Sequence, residues 1–241
     1  ILMLDYMKLK RAKILDKGEV LLAYLNSFSQ RLNPKNYVTS VYHYYATYKN
    51  FVKVLIHRVL NRFPIEVTLR NGKSATLGNQ VIAYYYSVYY NKFKNFEIND
   101  FFLEFEYNGK RVRFYGWKYG DPASAFAFGD YDFLDVNGKV VVDVGASIGD
   151  TPIYFALRGA KKVIAFEPFP KIFELAKKNV EENGLQDKIV LVNAGCGYDG
   201  KVRVREDIET DAGTQLIDQG TGVEAPVYSL STIVKMFNIE D

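Results

Sequence analysis

The stretch KVVVDVGASIGDTP, residues 139–152, constrains the fold of this chain more than any other. Its run of β-branched residues has no polar alternation, which suits a parallel strand buried on both faces. The run ends in an aspartate, passes Gly145 and Gly149, and reaches Pro152, a residue suited to the first position of a helix. That helix is read as Pro152 to about Arg158, with Gly159 at its end. The pattern then repeats. KKVIAFEP reads as a second strand and PKIFELAKKNVEENG as an amphipathic helix from Pro170 to Gly184 that buries Ile172, Leu175, Ala176 and Val180. KIVLVNAG is a third strand. The predicted class is α/β, a Rossmann-like three-layer sandwich.

A glycine turn between a buried strand and a helix lets backbone N–H groups come close to a ligand, because no side chain intervenes. The triphosphate form of that device needs a lysine, which this turn lacks. The dinucleotide form needs three glycines, whereas here Asp143-x-Gly145-x-Ser147-x-Gly149 puts Ser147 at the middle position. Asp143 also aims a negative charge from the strand end, which repels a diphosphate and suits a cationic amine. S-adenosylmethionine fits better. Its methionyl end carries an α-ammonium and a sulfonium, for which Asp143 is the candidate partner, and its ribose offers two hydroxyls that one acid can accept. Glu167, at the end of the second strand and 167 − 143 = 24 positions on, is the candidate for the ribose. An acid stands at about that distance in NAD sites too, so the turn is what discriminates. Asn193 at the end of the third strand is read as a partner for the adenine, or alternatively as a strand-terminal cap, with Ala194 leaving room for the ring.

The N-terminal half is built differently. Of 19 tyrosines, all but Tyr154, Tyr198 and Tyr228 precede Asp135, and the DVNG turn at 135–138 is the natural seam. The first sixty residues read as helical, through Ile14, Leu15, Leu21, Leu22 and Leu25 and then Val41, Tyr45, Tyr48, Val52, Leu55, Ile56 and Val59, with a break around Pro34. Two hairpins follow, turning at Asn71-Gly72 and Asn108-Gly109. Between them Val81, Tyr85, Tyr89 and Phe93 recur at a helical step, which predicts an amphipathic helix packed on the hairpins.

A net charge of +3 with interleaved signs is too mild to argue for a nucleic-acid partner, which is read as disfavoured. Cys196 is the sole cysteine, which excludes an internal disulfide and a cysteine-based zinc site, so no metal is expected and the cytoplasm is the default location. No apolar run reaches the length of a membrane span, and ILMLDYMKLKRAK carries charges where a signal peptide needs its apolar core. With Ile1 first and Met3 inside, the sequence is read as lacking its initiating residue.

The stretch 140–197 resembles the FkbM family of S-adenosylmethionine-dependent methyltransferases, most specifically in its D-x-G-A-x-x-G-D-[TS] turn and F-E-P acid. The resemblance covers roughly 125–240, since KVRVRED, TDAGTQL and APVYSLSTIVKMF fall where that family places an inserted strand pair and a further helix. It implies a class I methyltransferase sheet and O-methylation of a hydroxyl on a sugar or other small molecule. Carried over by position, Asp143, Gly145, Ala146, Ser147, Gly149, Asp150 and Thr151 would line the methionine end, Glu167 would hold the ribose, and Pro168 and Phe169 would shape the adenosine pocket. The family's next strand ends in K-x-D-x-E-G, and this sequence stops at FNIED just before it. The sheet is therefore expected to be truncated after its third core strand, with an open edge on the first, and the gene product to continue by roughly 50–80 residues.

Methyl transfer is an in-line displacement at an already activated carbon, so positioning supplies much of the catalysis. No general base is assigned. His43 and His57 lie in the N-terminal helices and read as ordinary helix residues, and Cys196 reads as a small residue in a tight turn. Residues 1–135 are expected to form an acceptor-recognition cap, with Tyr119, Phe128 and Tyr131 nearest the turn in sequence, and residues 136–241 the cofactor domain. The expected partner is a small-molecule or glycan methyl acceptor. A nucleic-acid methyltransferase, a nicotinamide oxidoreductase and a non-catalytic cofactor-binding module are the competing readings.

Overall fold

The structure, a computed structural model, describes residues 34–204 and 222–239. The expected helix through Ile14 to Leu25 and the segment TDAGTQL lie outside the described residues. The chain divides into two compact units, one ending at Ser87 and the other beginning at Val88. The compositional seam at 135–138 falls inside the second of them.

In the first unit, helices α1 (Pro34–Thr47) and α2 (Phe51–Val59) precede an antiparallel hairpin of β1 (Ile65–Thr68) and β2 (Ser74–Leu77). The alternation of Ile65 and Val67 with Glu66 and Thr68 puts one face inward, and Gly72 takes the left-handed conformation (φ 90°) that the turn requires. Tyr44, Tyr48 and Val54 are buried; Tyr48 bridges Leu69 beside the hairpin, and its hydroxyl donates to Ala83 O at 2.8 Å. Helix α3 spans Gln80–Tyr89. Its buried face is Ile82, Ala83, Tyr86 and Tyr89, rotated from the expected stripe: Val81 is exposed and Phe93 lies beyond the helix end.

The second unit opens with an antiparallel sheet ordered β3 (Lys94–Ile98), β4 (Phe102–Tyr107), β5 (Lys110–Tyr115). The β4–β5 hairpin turns at Asn108-Gly109, both with positive φ (50° and 76°), the pair of left-handed residues that a two-residue hairpin needs. Aromatic side chains fill its inner face: Phe93 stacks on Phe105 at 4.2 Å, Phe105 meets Phe126 edge-on, and Phe126 meets Tyr154. Phe126 belongs to the short helix α4 (Ser124–Phe128), and Tyr154 to α5 (Asp150–Leu157).

The parallel sheet is ordered β6 (Val140–Val144), β7 (Lys162–Phe166), β8 (Ile189–Val192), with α5 and α6 (Pro170–Glu182) as its crossovers. Every residue of β7 after Lys162 is buried, as a central strand demands. The expectation that β6 is buried on both faces fails: among the described residues it pairs with β7 alone, and Val140 and Val144 are 39% and 57% exposed. Helix α5 starts at Asp150, which puts Pro152 at its third position instead of its first; that is still within the turn whose N–H groups have no helical acceptor. A second small sheet follows, with β9 (Gly195–Cys196) parallel and β10 (Gly200–Val204) antiparallel to β11 (Val223–Tyr228). Cys196 thus sits in a short strand and not in a tight turn. Helix α7 (Leu230–Met236) closes an apolar cluster of Ile164, Phe166, Ala194 and Ile233. No helix among the described residues is long and apolar enough to cross a membrane.

Candidate cofactor site

The site forms where β6 and β7 end. After Val144 the backbone alternates through left-handed residues at Gly145 (φ 85°), Ser147 (φ 48°) and Gly149 (φ 91°). Gly145 N and Ala146 N both donate to Phe166 O at 2.9 Å, which folds the turn back over the end of β7, and Gly149 N donates to Ala146 O at 2.8 Å. Ser147 therefore does conformationally what a middle glycine would do, at a steric cost of roughly 1–2 kcal/mol. The two glycines have different tasks. A Cβ on Gly145 would project into open space, the room a ligand needs, whereas one on Gly149 would stand 3.3 Å from Ala176 O and 3.4 Å from its Cα. Gly149 lets the turn lie against α6.

Glu167 is clamped to the turn. Its Oε2 accepts from Ser147 N at 2.9 Å and its Oε1 from Phe169 N at 3.0 Å, leaving lone pairs on both oxygens for further donors. Asn193 Nδ2 donates to Glu167 O at 2.8 Å, so the asparagine orients the acid's backbone and behaves as the cap of the alternative reading. Ala194 is fully buried in the apolar cluster. Pro168 is buried, and Phe169 half-buried. Asp143 Oδ2 accepts from Thr151 Oγ1 at 2.7 Å, tying the strand end to the first turn of α5.

The electrostatics point one way. Burial pushes the Asp143 carboxyl up to about 6, against the hydrogen bond from Thr151. Burial likewise pushes Glu167 up to about 7, opposed by its two backbone donors and helped by the Asp143 charge. Asp150 is half-buried; desolvation first, then Asp143 and Asp121, push it up to about 7. Three carboxylates short of counter-charge favour a cationic ligand that donates hydrogen bonds.

Of the three aromatics nearest in sequence, Tyr131 comes to this place. Its ring meets Phe155 of α5 edge-on at 5.4 Å, Arg158 Nη1 donates to its backbone oxygen at 2.8 Å, and its hydroxyl is raised by burial and then by Asp143 and Asp150. Phe128 packs instead against Tyr89 and under Lys92, and Tyr119 lies by Gly116. Two further residues carry weight that the sequence reading did not give them. A Cβ on Gly120 would stand 3.7 Å from Ser147 Oγ, and Asn179 Nδ2 donates to Ile148 O, inside the turn, at 2.8 Å. The signal for Asn179 was its place: it sits on the same helix face as Ile172, Ala176 and Val180, where a polar residue needs a reason.

Parallel β/α units with a glycine turn at the first strand end and a clamped acid at the second form a Rossmann-like arrangement. Residues 143–241 match the methyltransferase FkbM domain. Ribosomal protein L11 methyltransferase of Salmonella newport (strain SL254) is 33% identical over 81 residues, 30% of this chain and 28% of that protein. The chain thus spans less than a third of the length of such curated relatives. Among solved structures, PRMT6 is 38% identical over 24% of this chain and 17% of its own, with a TM-score of 0.23. The M. jannaschii tRNA m1G37 methyltransferase is 28% identical over 40% and 31%, with a TM-score of 0.30.

Proposed function

We propose that this chain is an S-adenosylmethionine-dependent methyltransferase acting on a hydroxyl of a small molecule or sugar. The observation that carries the cofactor is Glu167, held by Ser147 N and Phe169 N with acceptor capacity to spare, beside a turn whose Gly145 opens onto free space. The residues fit the cofactor. Glu167 would accept from the ribose hydroxyls, Asp143 and Asp150 would favour the cationic methionyl end, and Phe169 and Pro168 would flank the adenosine. The bound cofactor supplies an electrophilic methyl on a sulfonium. What the chain supplies is orientation: a rigid turn, a fixed acid and a site poor in positive charge.

The acceptor class rests on the FkbM resemblance and on a net charge of only +3, with basic and acidic residues interleaved in the sequence. Residues 1–135 are the proposed acceptor cap, with Tyr131 as its candidate aromatic beside the site, and the cytoplasm, where the single cysteine stays reduced, is the proposed location. Isothermal titration with S-adenosylmethionine, S-adenosylhomocysteine and NAD tests the cofactor: micromolar binding of the first two and none of NAD supports the reading, and preference for NAD sinks it. Transfer of labelled methyl to hydroxyl-bearing sugars but not to RNA tests the acceptor.

A further inference from the structure

The edge of β5 that faces away from β4 is met by a helix, not by a strand. Asn183 Oδ1 accepts from Arg113 N at 2.9 Å while its Nδ2 donates to Arg113 O at 2.8 Å. One helical turn earlier, Asn179 Oδ1 accepts from Tyr115 N at 2.7 Å and its Nδ2 donates to Tyr115 O at 3.0 Å. Each carboxamide thus offers the donor and acceptor that a neighbouring strand would offer. The spacing permits it: four residues of helix rise about 6 Å, close to the roughly 6.8 Å covered by two residues of strand.

The two asparagines differ in their remaining proton. Asn183 donates it to Asn179 O, at 2.7 Å within its own helix. Asn179 donates it to Ile148 O at 2.8 Å, inside the glycine turn. Asn179 is wholly buried, with three hydrogen bonds spread over two pieces of chain. The same face of α6 carries Ala176, against which Gly149 lies.

We propose that Asn179 is a positioning residue for the cofactor turn, tying the Ile148 carbonyl to β5 so that the antiparallel sheet sets the attitude of the turn. Its consequence for the cofactor rests on the function proposed above; the coupling itself does not. Asn183 is the built-in control, because it grips the same strand in the same way without touching the turn.

The experiment compares Asn179→Ala with Asn183→Ala by hydrogen–deuterium exchange on the unliganded chain, alongside titration with S-adenosylhomocysteine. Both variants are expected to loosen β5. Only Asn179→Ala is expected to speed exchange of the amides of residues 145–149, by about tenfold, and to weaken S-adenosylhomocysteine binding by a similar factor. Should that variant fail to fold, Asn179→Ser, whose hydroxyl keeps one polar partner in the buried place, carries the same comparison. Equal exchange of the turn in the variants at 179 and 183 overturns the proposal. Failure of the unmodified chain to bind S-adenosylhomocysteine would instead count against the proposed function, with the exchange contrast still deciding the role of Asn179.

Discussion

Gly149 and Gly145 share a left-handed backbone and nothing else. An alanine at 149 would meet both the strained φ and the backbone of Ala176, so Gly149→Ala is expected to cost about 1–3 kcal/mol in chemical denaturation. Gly145→Ala would meet no protein atom within 4 Å; its expected signature is a smaller loss of stability with a marked loss of cofactor affinity, because the added methyl enters the ligand's space. Glu167 is the sharper test. Glu167→Gln keeps the shape but turns one acceptor into a donor facing either Ser147 N or Phe169 N, leaving a part-buried N–H without its acceptor. A loss of about 1–3 kcal/mol of stability is expected, with binding of S-adenosylhomocysteine weakened by at least tenfold. A variant that bound normally would show that the acid serves the turn and not the ligand.

Among the elements, those with a local cause were legible in the sequence. Asn71-Gly72 and Asn108-Gly109 announced both hairpins because only such residues accept positive φ cheaply, and the glycines and prolines bounding α5 and α6 marked the β/α units. Gly109→Ala, with no neighbour within 4 Å of the new methyl, isolates that backbone cost and is expected to lower stability by roughly 1 kcal/mol in thermal unfolding. Elements decided by distant partners were not legible. Strand β3 is short and its pairing with β4 shifts register between Lys94 and Glu97, so no clean alternation advertises it. The buried face of α3 is rotated by one position from the tyrosine repeat because tyrosine satisfies both interior and boundary. In the candidate site, the places of Asp143, Gly149 and Glu167 at strand ends and in the turn follow from the spacing of the sequence. Those of Asn179, Asn193 and Ala194 depend on which side chain meets which backbone across 26 to 64 residues, or on burial beneath α7.

At the scale of the whole molecule, the three raised carboxyls make stability and binding depend on pH in opposite directions. From ordinary values of 3.8, 3.8 and 4.5, Asp143, Asp150 and Glu167 rise to about 6, 7 and 7. Between those limits the native chain holds protons that the unfolded chain has released, so their contribution to stability is full below about pH 4 and is lost as pH climbs toward 7. A cationic, hydroxyl-donating cofactor favours the ionised forms, so its affinity is expected to rise several-fold from pH 5.5 to 7.5 with release of protons, measurable by titration in buffers of different ionisation enthalpy. Asp150→Asn should flatten both profiles. The asparagine-capped edge of β5 carries a consequence for synthesis. The strand is made 64 to 70 residues before the side chains that cover it, so at about 5–20 residues per second its edge stands bare for roughly 3–14 s on the ribosome. During that interval the nascent hairpin offers neighbouring chains a free strand template, and slower translation through 116–183 would lengthen the exposure and raise the load on chaperones.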